Sequence, residues 1–179
     1  MSKFLARGKV LLCVAVLALC ACTPKLDWRD YRAPDDAYTV LMPAKPTVHE
    51  REVTLNGMRL NMRMSAVEIS GVTFAVGSLT LPDASLSMAT LGAMKDALLK
   101  NIGSTLQSEK TKASPTDGSI SVYVDAIGAP SESTKGKPRL LFGRFVAKGP
   151  QLFQVLVTGP QDEVSNDAVD TFLTSFKAK

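Results

Sequence analysis

Along the chain the alternation of apolar and polar side chains changes period, and each change marks an element. From Val48 to Ser65 the period is two, broken only at Asn56-Gly57. Both residues of that dipeptide tolerate positive φ, so the stretch predicts a hairpin, Val48–Leu55 and Met58–Ser65, closed by a two-residue type I′ turn. Turn length dictates register: 55 stands opposite 58, 53 opposite 60, 51 opposite 62 and 49 opposite 64. Val53, Leu55, Met58, Leu60, Met62 and Met64 then share one face, and Glu50, Glu52, Thr54, Arg59, Asn61 and Arg63 the other. Glu50 opposite Arg63 is a cross-strand ion pair worth roughly a few tenths of a kcal/mol.

The other elements follow the same logic. Ala37 to Pro43 reads as a short strand with Tyr38, Val40 and Met42 on one face, ended by a proline that cannot donate to a ladder. Val72 to Leu81 is apolar on both faces, which predicts a strand covered on both sides. After Pro82-Asp83, the residues Met88, Leu91, Met94, Leu98 and Ile102 recur at helical spacing, and Gly103 offers a C-cap for a helix from about Ser87 to Ile102. Leu106 to Lys112 has no decisive period. Ser114 to Gly118 is a turn, Ile120, Val122, Val124 and Ala126 alternate as a strand, and Gly128 to Pro138 reads as a mobile loop. Arg139–Ala147 and Leu152–Thr158 form a second pair of strands. Ser165 is placed to cap a last helix burying Ala168, Val169, Phe172, Leu173 and Phe176, with Asp167 and Asp170 near its start and Lys177 and Lys179 at its end to suit the helix dipole.

Ahead of all this lies MSKFLARGK, three basic residues and no acid, followed by the apolar run Val10 to Cys22. A cationic start and an apolar stretch too short to cross a bilayer predict a secretory signal. Its end, Leu19-Cys20-Ala21-Cys22, resembles the lipobox of bacterial lipoproteins. That resemblance implies lipidation at Cys22, since Cys20 would put the bulky Leu19 where a small side chain is needed. The expected organisation is a removed signal at 1–21, a lipidated polar tether at 22–36 and a single globular domain at 37–179. Within the tether, the Trp28 and Tyr31 side chains either pack on the domain, lie at lipid headgroups or meet a partner. Thr23 is not the aspartate that in many bacteria retains lipoproteins in the inner membrane, so the resemblance favours the outer membrane.

Net charge is +4. Removing residues 1–21 leaves 18 basic against 17 acidic side chains, so the excess belongs largely to the signal and supports no nucleic-acid partner. All three cysteines, Cys13, Cys20 and Cys22, lie at or before the cleavage point. The domain therefore has no thiol for a disulfide or a metal, and its length is enough for a core without either. One histidine, His49, on the Met64 side of the hairpin, reads as partly buried and structural. Thiolate and imidazole clusters, a nucleophile elbow and a glycine-rich phosphate loop are all absent from the sequence, so no enzyme activity and no cofactor are expected. The carboxylates Asp35-Asp36, Asp125 and Asp162-Glu163 are the remaining candidates for acid–base chemistry, and no aromatic residues frame them as a sugar cleft would.

The order strand, hairpin, strand, helix, strand, hairpin, helix, with Tyr38-Thr39-Val40-Leu41-Met42-Pro43 at its start and Phe172-Leu173-Thr174-Ser175-Phe176 at its end, resembles the PsbP-like fold, and within it the small uncharacterised lipoproteins of proteobacteria. The resemblance implies an α+β fold, an antiparallel sheet with two packed helices as an α/β/α sandwich, preceded by a signal peptide. Two function classes follow. One is a non-catalytic lipoprotein, held to the membrane through its lipid anchor, that binds or tethers an envelope protein partner at the periplasmic face of the outer membrane. The other is a carrier or sensor of a small apolar ligand, lined by Met62, Met64, Met88 and Met94, a stripe in which no polar group is placed to orient a ligand.

Overall fold

The computed structural model describes residues 26–179, so the expected signal peptide at 1–21 and Cys22 lie outside the described residues. Ten strands and two helices run in the order β1 (Arg29–Arg32), β2 (Tyr38–Met42), β3 (Thr47–Leu55), β4 (Met58–Ile69), β5 (Val72–Thr80), α1 (Ser87–Asn101), β6 (Ser104–Ala113), β7 (Ile120–Gly128), β8 (Arg139–Lys148), β9 (Gln151–Pro160), α2 (Asn166–Ser175) and β10 (Lys177–Ala178). Seven strands make one antiparallel sheet in the order β3-β4-β5-β9-β8-β7-β6, and a second, three-stranded sheet has the order β1-β2-β10.

The hairpin has the register its turn demands, from Thr47 opposite Ala66 to Leu55 opposite Met58. Asn56 and Gly57 sit at φ +49° and +77°, the left-handed values that a type I′ turn requires. Arg63 grips Glu50 across the strands at 2.5 Å and also Asp35 at 2.6 Å. Strand β5, apolar on both sides in sequence, lies inside the sheet, and β9 holds its centre.

Each face of the large sheet carries its own core. Strand β9 shows why: Phe153, Val155 and Val157 point one way, Leu152 and Leu156 the other, all 5% exposed or less. The first face packs Phe74, Val76 and Phe153 against Tyr38, Val40 and Met42 of β2 and Phe172 and Phe176 of the C-terminal segment. Aromatic edges organise it, with Phe74 and Phe172 perpendicular at 5.4 Å between ring centroids and Tyr38 and Phe153 likewise at 6.0 Å. The second face packs Leu60, Met62, Leu141 and Phe145 under Leu91 and Met94 of α1. The molecule is thus sheet-dominated rather than an α/β/α sandwich, because one of the two covering layers is itself half sheet.

Several expectations change. The stretch read as a polar tether contains β1, which pairs Arg29–Arg32 with Met42–Thr39. Its polar side chains point to solvent, while the backbone bonds and two aromatic side chains hold it, and neither leaves an apolar period. The undecided Leu106 to Lys112 belongs to β6, an exposed edge strand with no buried face to pattern it. The Gly128 to Pro138 loop is pinned by Thr134, which is fully buried with its hydroxyl donating to Lys137 O at 2.6 Å. Met88 leaves the helical stripe and is 46% exposed. The last helix stops at Ser175, and Lys177 joins β10. Its C-terminal carbonyls are met instead by Arg144, whose Nη1 donates to Leu173 O at 3.1 Å and Phe176 O at 3.2 Å.

Phe172 is fully buried between α2 and β5. Phe172→Ala should cost about 3 to 5 kcal/mol in denaturant unfolding, the range for deleting a buried aromatic ring.

Candidate functional site

The aromatic pair of the N-terminal segment is committed to the domain. Trp28 stands edge-on to Phe74, ring centroids 6.0 Å apart, and the Tyr31 hydroxyl shares a 2.9 Å hydrogen bond with Ser65. Neither is a free partner face. His49 is exposed rather than partly buried, because β3 is an edge strand whose first half extends beyond the cover of α1. The carboxylates are dispersed into pairs: Asp35 with Arg63, Asp36 with Lys179, Asp162 with Lys137, while Asp125 accepts a 2.7 Å bond from the Ser108 hydroxyl. Among the described residues no three His, Cys, Asp or Glu side chains gather to hold a metal, and no helix is long and apolar enough to cross a membrane.

The four methionines do not form one pocket. Met62 and Met94 line an open cleft of about 330 Å³ between the hairpin and α1, whereas Met88 borders a separate recess near β6. The cleft does contain a polar group that the sequence reading missed. Gln154, in the centre of β9 and 4% exposed, donates its amide to two thioether sulfurs, Met64 Sδ at 3.5 Å and Met62 Sδ at 3.6 Å. Its side chain lies over Gly77, where a Cβ would come within 2.8 Å of it, so the glycine makes the room. Thioethers are weak acceptors, so this buried amide is poorly matched in hydrogen bonding. A lone glutamine within LFQVLV was the available signal.

Strand β6 is the other candidate. Its ten residues form one border of the large sheet, and among the described residues no strand lies beside its outer backbone. A recess flanks it on each face. On one side Glu109 and Thr111 border an apolar hollow of about 160 Å³ with Met88, Leu91, Val122 and Phe145. On the other, Ser108, Lys110 and Lys112 border a groove of about 480 Å³ that runs over Tyr123 and Phe142 to Asp170 on α2. Glu109 is engaged by Lys95 at 2.5 Å. Lys110 and Lys112 have no carboxylate partner among the described residues, and the Lys112 ammonium sits 5.0 Å from the Tyr123 ring centre. The opposite edge, β3, differs, since Glu50 and Glu52 there face Arg63 and Arg59.

The turn joining β6 to β7 is locked by Asp117. The Ser114 hydroxyl, then the Ser119 hydroxyl at 2.8 Å and backbone N–H at 3.2 Å, hold its carboxylate in the charged form and pull its pKa down to about 2. The buried Tyr38 phenol moves the opposite way, pushed up by desolvation. A carboxylate with a depressed folded pKa stabilises the fold above its unfolded value, about 4, and that contribution is lost as pH falls toward 2. Thermal unfolding followed from pH 5 to pH 2 should therefore fall less steeply in Asp117→Ala than in the parent.

Comparison with known proteins adds the fold. No family model matches the chain, and no curated protein does. Among solved structures, the solution structure of the cyanobacterial PsbP protein CyanoP, from Synechocystis sp. PCC 6803, is similar at a TM-score of 0.53 and 13% identity, over 90% of this chain and 99% of that one. A Bacteroides thetaiotaomicron VPI-5482 structure reaches 0.44 at 14% identity, over 84% of this chain and 48% of that one, and a Pseudomonas aeruginosa protein of unknown function reaches 0.34 at 14%, over 76% and 85%. The last two fall too low to carry weight. The first, spanning nearly the whole of both chains, shows that this domain has a PsbP-like fold.

Proposed function

We propose that the protein is a non-catalytic envelope lipoprotein, anchored through Cys22, that binds or tethers a protein partner at the periplasmic face of the bacterial outer membrane. The anchoring half rests on the signal and its Leu19-Cys20-Ala21-Cys22 end. The binding half rests on β6. An edge strand offers a row of free N–H and C=O groups to an extended segment, and recesses on its two faces receive that segment's alternate side chains. One recess is apolar and the other presents Lys110 and Lys112, so the partner segment alternates apolar and acidic residues.

Both halves are testable. Mass spectrometry of the mature N-terminus should find Cys22 acylated, and Cys22→Ser should release the protein to the soluble periplasm or stall it uncleaved. A synthetic peptide of alternating valine and glutamate, matched to the ten residues of β6, should bind about tenfold more tightly than its valine–lysine counterpart, a difference of about 1.4 kcal/mol. The double variant Lys110→Glu with Lys112→Glu should reverse that preference without changing thermal stability. Equal affinity for the two peptides refutes the charge argument.

A second reading, a carrier of a small apolar ligand, is supported by Gln154 at the Met62–Met94 cleft. Such a ligand brings an oxygen acceptor better than a thioether to the amide. Native mass spectrometry of the domain should then show a co-purifying small molecule that is lost in Gln154→Leu.

A further inference from the structure

We infer that one end of the domain, where Leu26, Trp28 and the Pro43–Pro46 loop meet the Ser70-Gly71 turn, lies against the phospholipid surface. Strands β4 and β5 then project away from the membrane. This rests on acylation at Cys22 and adds to it an orientation.

The Asp27 N–H donates to Pro43 O at 2.9 Å, Leu26 and Trp28 pack on the first core, and Trp28 stacks edge-on against Phe74. The domain is therefore held from Leu26 onward rather than from Asp36. Between the acylated residue and Leu26 stand only Thr23, Pro24 and Lys25. Four Cα steps span at most about 14 Å even when extended. The headgroup layer takes up several ångströms of that reach, since it accounts for the difference between a hydrocarbon core of about 30 Å and a whole bilayer of about 40 to 45 Å. Too little chain is left for the domain to turn over.

Register says which end this is. Trp28 lies on Phe74, Phe74 pairs with Val67, and two residues further Ile69 pairs with Val72 at the Ser70-Gly71 turn. Thr73 pairs with Thr158 at this end, and Thr80 with Gln151 at the other. The Asn56-Gly57 turn closes the far end of β3 and β4, about 30 Å away along strands of nine to twelve residues. What the near end offers suits a headgroup surface: Lys45 is exposed in a Pro43-Ala44-Lys45-Pro46 loop with no carboxylate partner among the described residues, and Trp28 is half-buried beside it.

The described domain contains no cysteine, and acylation consumes the Cys22 sulfur, so a single introduced thiol is a clean probe position. Full-length processed protein carrying Lys45→Cys or Arg59→Cys, each labelled with a small fluorophore, is placed in phosphatidylcholine vesicles containing headgroup-nitroxide lipid. Both sites are exposed, with Arg59 at 79%. We expect loss of most fluorescence at position 45 and none at position 59. Inserting about 20 glycine and serine residues after Thr23, a coil of roughly 25 Å, should abolish the difference while the protein stays in the membrane. Equal quenching at the two positions with Cys22 acylated overturns the orientation alone, as does quenching at 45 that the insertion leaves unchanged. An unmodified Cys22 overturns the anchor and the orientation together.

Discussion

Burial of β9 on both faces is the constraint on which the rest of this domain depends. A strand with Leu152 and Leu156 on one side and Phe153, Val155 and Val157 on the other must be roofed twice. Antiparallel sheets commonly leave one face in water. Here that option is closed, so the chain supplies two covers made differently. One is α1, laid over Met62, Leu141 and Phe145. The other combines α2 with the small sheet of β1, β2 and β10, because ten residues of helix are too few to roof the apolar side chains of four strands.

How much of this was legible follows from which residues had an apolar face to show. The hairpin, β5 and α1 could be read because burial on one or two sides leaves a period in the sequence, and Asn56-Gly57 adds the turn. β6 could not be read, since an edge strand whose residues are nearly all exposed carries no period. β1 was hidden for a related reason: its ties are backbone hydrogen bonds plus Trp28 and Tyr31, and no two-residue rhythm joins these. Thr134 shows a third kind of blindness. A single buried hydroxyl with several bonds orders a loop that composition alone marks as mobile. The candidate sites divide the same way. The methionines were visible but are parcelled between clefts, and Gln154 matters only because Gly77, far away in sequence, vacates the space its amide occupies.

The electrostatics of the surface have a consistent distribution. At the β3 edge, Arg63 and Arg59 face acids, and on the rim of the first face Lys179 meets Asp36. Exposed pairs of this kind contribute little to stability individually. Their importance is in what they leave over. Lys110 and Lys112, two cations on one face of β6 without such a pair among the described residues, give a local positive field on a domain whose net charge is nearly neutral.

The small sheet joins the two ends of the described chain. β1 and β10 flank β2, so Arg29–Arg32 and Lys177–Ala178 are laid on opposite sides of the same five residues. Lys179 completes the closure with its backbone N–H on Ala37 O and its ammonium on Asp36. The first core likewise waits for Phe172 and Phe176. Without α2 and β10 one face of β9 is bare, so this core closes only through contacts between stretches far apart in sequence, which makes its completion a non-local and comparatively slow step of folding.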